Sequence, residues 1–404
     1  MASGKGDSAG QAADDRGRAE SPATGDVRPI SIAYLGDPNS VHVRRWAAEF
    51  DRRGHRITLL APSGLEVMPG LPPGVAIERF MPHTAWRMRR LGMIATRRSV
   101  REAVARVKPD ILHVHHLTVN GFRAWMSGFH PYVVTVWGDD VLIDVKRSKP
   151  ARVLARLTLR SADLVTGISR HVVDGAVAAG ARAERTRVIH FGVDVDQFLP
   201  GPEPAALRAR LGLVGRRVVF SPRIIEPLYR HEVVVEALAR LPDDVVLIMS
   251  KYAADPATLA AVEAQIARLG LADRVRLVPP IPYPEMPDYY RLSEAVASVP
   301  ESDAGPVTLV EALAVGRPVV SSDLPPVREW LADLDPECLV PVGDPDATAA
   351  ALQTVLTRTP ERREALAAKG RAAVLERADQ RRTMAVMDAE YRRLAANRLV
   401  QSGR

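Results

Sequence analysis

Two carboxylates, Asp303 and Glu311, stand eight positions apart in the stretch SVPESDAGPVTLVEALAVGRPVVSSD, residues 298–323. Between them the pattern reads as the start of a helix, with Pro306 at its first position and Gly316 just past its end. A proline there gives up a donor that the helix leaves unpaired in any case. The amides of Val307, Thr308 and Leu309 then point out of the helix start, and the helix dipole adds partial positive charge, which suits a phosphate. Asp303 precedes that anion site and Glu311 follows it on the second turn. Acids on both sides of a phosphate site fit a ligand with hydroxyls at both ends of a diphosphate, as in a nucleotide sugar. Taken alone, the same acids read as a helix-start charge and an exposed point on an amphipathic helix.

Such a site needs strands that end where it begins, and the chain supplies two series of them. ISIAYLG, HRITLLAP, DILHVHH, YVVTVWG and DLVTGIS are apolar strands ending in glycine or polar residues. Helical patterns alternate with them; Val43, Trp46, Ala47 and Phe50 form one apolar face after the plausible N-cap Ser40. RRVVFSPR, DDVVLIMS, VRLVPPI and RPVVSS continue the theme after a Pro- and Gly-rich stretch. This alternation predicts an α/β protein with two Rossmann-like, doubly wound parallel sheets facing a central cleft. The expected layout is a disordered tail over 1–28, a first domain over 29–198, a linker over 199–214 and a second domain over 215–380. A C-terminal helix over 381–404 is expected to return to the first domain.

With 404 residues, the chain has room for two cores, and 47% hydrophobic with 25% charged residues is ordinary globular composition. No apolar run is long enough to span a membrane, and the polar first 28 residues lack the apolar core of a signal peptide. The single cysteine, Cys338, excludes an internal disulfide framework. A cytoplasmic location is expected. The net charge of +7 is concentrated in RMRRLGMIATRRSVREAVARVK, residues 87–108, and again from Lys146 to Arg160. These are solvated helix faces, or a surface for an anionic membrane or substrate. Nucleic acid is disfavoured, because no aromatic interleaving or recognisable nucleic-acid module accompanies the charge. In DILHVHH, His113 and His115 point to one side of the strand, and no Cys or carboxylate cluster nearby suggests a metal.

Beyond these readings, LVEALAVGRPVVSSDLPPVREWL resembles the Glu-x7-Glu signature segment of the retaining glycosyltransferases of family 4, which have the GT-B fold. SPRIIEPLYRHEVVVEALARL and LGLADRVRLVPPIPYPEMPDYYRLSEAVASVPES also resemble segments of that family, and the likeness extends over residues 29–400. It implies that Arg223 holds the donor diphosphate, as a guanidinium is suited to do. One extra residue in IIEPLYR leaves Tyr229 or Arg230 at the family's lysine position, and Arg230 is favoured for its charge. Glu311 falls on the glutamate that holds the nucleotide ribose, and Asp303 on the one that meets the donor sugar. Gly305, Val307, Thr308 and Gly36 would complete the donor site. His115 aligns with a histidine near the reacting centre, and Asp140, Gly138 and Asn39 would line the acceptor side. The chain departs from the family at Asp303, at Pro306 where a glycine is usual, and at Trp137 where histidine is common.

The resemblance implies transfer of a hexosyl or N-acetylhexosaminyl group from a UDP- or GDP-sugar, with retention and without a cofactor or metal. The acceptor would be a glycan, a lipid-linked sugar or a small molecule, with membrane contact through residues 87–108 and a monomer or homodimer as the working unit. Competing readings are a sugar-nucleotide epimerase, a non-catalytic sugar-nucleotide binder and a basic interaction protein. An altered free sugar, nucleotide binding without turnover, and no nucleotide binding would respectively distinguish them.

Overall fold

The structure is a computed structural model that describes residues 28–81 and 89–402. The expected tail, Arg28 apart, and residues 82–88 at the edge of the basic stretch lie outside the described residues. Two parallel sheets organise the chain, as the alternation of strand and helix predicts. The first has the order β3-β2-β1-β4-β5-β6-β7, with β1 Ser31–Leu35, β2 Arg56–Pro62, β3 Ala76–Phe80, β4 Ile111–His115, β5 Tyr132–Val136, β6 Leu164–Gly167 and β7 Thr186–Val188. The second has the order β10-β9-β8-β11-β12-β13, with β8 Arg217–Ser221, β9 Val245–Ser250, β10 Val275–Val278, β11 Ala295–Ser298, β12 Val319–Ser322 and β13 Leu339–Val340. Central strands such as YVVTV and VVLIMS are buried along their whole length. Helices cover both faces of each sheet, which is why these strands carry apolar runs rather than an alternating pattern.

The second sheet has one continuous core, and the first has one on each face. On one face of the first sheet the core includes Met384, Met387, Tyr391 and Leu394 of the helix Gln380–Ser402. Tyr391 reaches the hydroxyl of Tyr34 at 3.3 Å and also bonds to Nδ1 of His113. His113 Nε2 continues to Thr135 at 2.7 Å, and Thr135 to Thr166 at 2.6 Å. A buried, satisfied polar chain therefore fastens the last helix to β4, β5 and β6. The polypeptide crosses between the two units twice, near Val193 and near Asp379, and the crossings are hydrogen-bonded. Val193 N donates to the Ala378 carbonyl at 2.9 Å, and Gln380 N donates to the Val193 carbonyl at 3.0 Å.

The stretch 199–214 differs from a plain linker. Residues Ala205–Arg210 form a helix, and Leu207 and Leu213 are buried in the second core. Its prolines and glycines predict a loop, while Leu207 and Leu211, one helical turn apart, mark a packed face.

Candidate active site

The second unit positions the charged residues at the carboxyl ends of its strands. Arg223 lies just beyond β8, and its Nη1 stands 3.4 Å from Oδ2 of Asp303, with little of either side chain exposed. The Arg223 guanidinium also lies 4.0 Å from the ring centre of Tyr229. Arg230 adopts the left-handed conformation, with φ of +50°. Its head group pairs with Glu232 at 2.7 Å and with Glu301 at 3.4 Å. Both candidates for the lysine position are therefore beside the 301–303 loop, Tyr229 against Arg223 and Arg230 against Glu301.

The loop after β11 closes on itself, since the Gly305 amide donates to Oδ1 of Asp303 at 3.1 Å. The helix that follows is Val307–Val315, so Pro306 stands one position earlier than expected, at its cap. This corrects the expected role of Val307, whose amide donates to the Gly305 carbonyl at 2.8 Å rather than outward. The amides of Thr308 and Leu309 are in the first turn, where no intrahelical acceptor exists. Glu311 is not an exposed point on this helix; it is only 6% exposed. Tyr290 donates to its Oε2 at 2.8 Å and Tyr283 to its Oε1 at 3.2 Å. Burial pushes the Glu311 carboxyl above its ordinary range, while the two hydroxyls, Arg45 and Arg223 pull it back.

In the first unit, β4 ends at His115, which is 1% exposed. Its ring is walled by Tyr34, Trp46 and Trp137 at centroid distances of 5.3, 5.1 and 6.3 Å, and stacks on His113 at 4.4 Å. Neither ring nitrogen has a hydrogen-bond partner. Burial, reinforced by the neighbouring His42, lowers its pKa to about 3, so the ring is neutral near pH 7. His115 is therefore enclosed in this arrangement, while Trp137 and His42 beside it are half-buried. Gly36 packs against it: a Cβ there would stand 3.1 Å from that of His115.

The expected acceptor-side residues have structural tasks. Fully buried Asp140 accepts from the amides of Leu117, Trp137 and Gly138 at 2.7, 3.0 and 2.9 Å, which ties together the loops after β4 and β5. Asn39 donates to the Glu66 carbonyl at 2.8 Å and accepts from the Met68 amide at 2.9 Å, so its amide group is committed to the loop after β2. Gly138 has φ of +122°, and a Cβ on it would fall 2.2 Å from that of Ala304.

That contact belongs to a seam where the 303–306 loop meets the first unit. Ser169 donates to the Ala304 carbonyl at 2.7 Å, and a Cβ on Gly305 would strike Ile168 at 2.4 Å. Glu329 accepts from the amides of Arg170 and His171, each at 3.0 Å, at the start of the helix Arg170–Ala179. Sequence reasoning missed Ser169 and Glu329, along with Tyr283, Tyr290 and Arg45 around Glu311. Their roles rest on contacts across long chain separations, and local patterns carry no signal for those. It also missed that His116, Asp139 and Asp144 bring ligand-type atoms within 4.8 Å of one another. Burial opposes protonation of His116, but Asp139, Asp140 and Asp144 carry its pKa above the ordinary value. Asp144 also pairs with Arg147 at 3.0 Å.

The chain resembles known proteins along both units. A family profile described as "Glycosyl transferases group 1" matches residues 206–373, and one described as "Glycosyl transferase 4-like domain" matches residues 40–192. A D-inositol 3-phosphate glycosyltransferase of Xylanimonas cellulosilytica is 30% identical over 283 residues, which span 65% of this chain and 67% of the relative. The namesake of Jonesia denitrificans is 28% identical over 285 residues, 65% of this chain and 66% of the relative, slightly under two thirds of its length. Among solved structures, Anabaena HepE in complex with UDP and glucose superposes with a TM-score of 0.72 at 21% identity, covering 89% of this chain and 99% of HepE. Two parallel-sheet units with this arrangement are the GT-B fold, and the chain belongs to the group 1 glycosyltransferase family.

Proposed function

We propose that the protein transfers a sugar from a nucleotide-diphosphate donor to a hydroxyl acceptor, with retention at the anomeric carbon. The observation that carries this reading is the convergence of Arg223, Asp303 and the start of the helix Val307–Val315, with Glu311 one turn further along. Ribose hydroxyls rest on Glu311, and the diphosphate lies against Arg223 and the amides of Thr308 and Leu309, with Arg230 released from Glu301 to join them. Asp303 orients the donor sugar. The acceptor oxygen bonds to the anomeric carbon on the face from which the diphosphate leaves. The bond from that carbon to the phosphate oxygen breaks, and the acceptor proton passes to the departing phosphate. Arginine and helix amides offset the growing negative charge in a site shielded from water, a task that needs no metal.

UDP is the nucleotide favoured, since HepE was solved with UDP and a GT-B fold is shared; GDP is the alternative. The relatives' name makes an inositol phosphate the first acceptor to try. The helix α2, Arg89–Val107, carries exposed Arg97, Arg98 and Arg101 within one arc of about 100°, and we place an anionic membrane against them. Among the described residues no helix is long and apolar enough to cross a membrane. The test is a screen of UDP- and GDP-sugars for donor consumption, with the product's anomeric configuration read by NMR and the assay repeated in EDTA. Retained configuration and metal-free turnover support the proposal. An inverted product or a free, altered sugar overturns it, the latter in favour of an epimerase.

A further inference from the structure

The surroundings of Glu311 give a role to two residues outside the Glu-x7-Glu segment. Tyr290 approaches its carboxylate from within the second core, as a fully buried side chain. Tyr283 approaches differently. It opens the short turn Tyr283–Glu285 after β10 and is 41% exposed, yet its hydroxyl donates to Oε1 of Glu311.

Three contacts tie this tyrosine to the crossings between the units. Its carbonyl accepts from Nε2 of Gln197 at 3.1 Å, close to the first crossing. Its ring lies 5.4 Å from that of Phe198. The guanidinium of Arg45, in α1 (Val41–Arg52) of the first unit, stands 5.4 Å from the ring centre. Arg45 in turn donates to Oε1 of Gln380 at 3.3 Å, at the second crossing. One residue thus touches Glu311, the first crossing and the first unit.

A carboxylate offers about four lone-pair directions. The tyrosines engage one on each oxygen, which leaves two for a vicinal pair of hydroxyls and holds the carboxylate in a single orientation. We infer that Tyr283, braced by Arg45, is a positioning residue that orients Glu311 toward the donor's ribose and links donor binding to the placement of the two units. This rests on the proposed donor site.

The test compares wild type, Tyr283→Phe, Arg45→Gln and the double variant, with UDP and 2′-deoxy-UDP as probes. Unliganded melting curves check that each is folded. Tyr283→Phe should raise the Kd for UDP and the donor KM about fivefold, with kcat changed less than about twofold. It should also narrow the preference for UDP over the deoxy probe, a ratio that general loosening would not move. Arg45→Gln should act in the same direction, and the double variant should be no worse than the more impaired single variant. Unchanged or tighter UDP binding by Tyr283→Phe, or an undiminished preference for UDP, overturns the inference. Additive effects of the two substitutions remove Arg45 from it. Glu311→Ala separates the two readings: if it binds UDP as wild type does, the donor site itself is misplaced. If it loses UDP while Tyr283→Phe does not, only the positioning role falls.

Discussion

Gly138→Ala should separate nucleotide binding from transfer. Glycine at φ of +122° occupies a region that other residues enter at a cost of about 1–3 kcal/mol. The added methyl group would also stand 2.2 Å from Cβ of Ala304, against the ordinary carbon–carbon separation of about 3.5–4.0 Å. The seam must therefore open by roughly 1.5 Å between the first unit and the loop that carries Asp303. A misplacement of about 1 Å at a reacting centre can cost on the order of 100-fold in rate. Arg223 and Glu311 lie in the second unit and need not move, so UDP binding should stay within about twofold of wild type. Calorimetry with UDP, run beside a transfer assay, reads both quantities. Adding Ala304→Gly should recover much of the rate, because the next atoms from the new methyl are 3.5 and 3.6 Å away. Transfer within about threefold of wild type in Gly138→Ala would refute the idea that this seam sets the catalytic geometry.

Donor binding should weaken as pH falls toward the carboxylate range, beginning at a higher pH than an ordinary glutamate would set. The reason is that burial raises the Glu311 pKa and protonation removes an acceptor from the ribose site; Glu311→Gln should flatten that profile. Far from the cleft, Arg358 and Asp335 form a buried pair at 2.6 and 2.8 Å. Arg358→Ala leaves the Asp335 charge unpaired and should cost about 3–5 kcal/mol in denaturant unfolding, with UDP affinity of the folded protein unchanged. Replacing Arg97, Arg98 and Arg101 by glutamine should abolish sedimentation with anionic vesicles, and failure of the intact protein to sediment would contradict the membrane proposal.

The architecture was legible because parallel strands buried on both faces have to be continuous apolar runs. ISIAY, YVVTV and VVLIMS could hardly be anything else once flanked by helical patterns. Asp303 and Glu311 stood out as acids flanking a helix start, while Arg223 and the roles of all three came from the family resemblance; that Arg223 and Asp303 stand 3.4 Å apart is a property of the folded chain. Two details escaped for physical reasons. Pro306 caps its helix rather than opening it, a difference of one residue that turns the Val307 amide toward Gly305. Residues 205–210 pack through Leu207, which a reading weighted toward proline and glycine passes over. The enclosure of His115 was invisible too, because it depends on Trp46 and Trp137 arriving from other elements. The same holds for Tyr283 and Arg45, whose meeting at Glu311 is a property of the assembled units.

The central claim is that Arg223 binds the donor diphosphate, and calorimetric titration of UDP into wild type and Arg223→Ala tests it most directly. A charge-assisted contact of this kind contributes about 1.5–3 kcal/mol, so the substitution should weaken UDP roughly ten- to 150-fold, in a protein that still melts cooperatively but at a lower temperature, because Asp303 loses its partner. Equal affinity in the two proteins, or no UDP binding by wild type, would contradict the account.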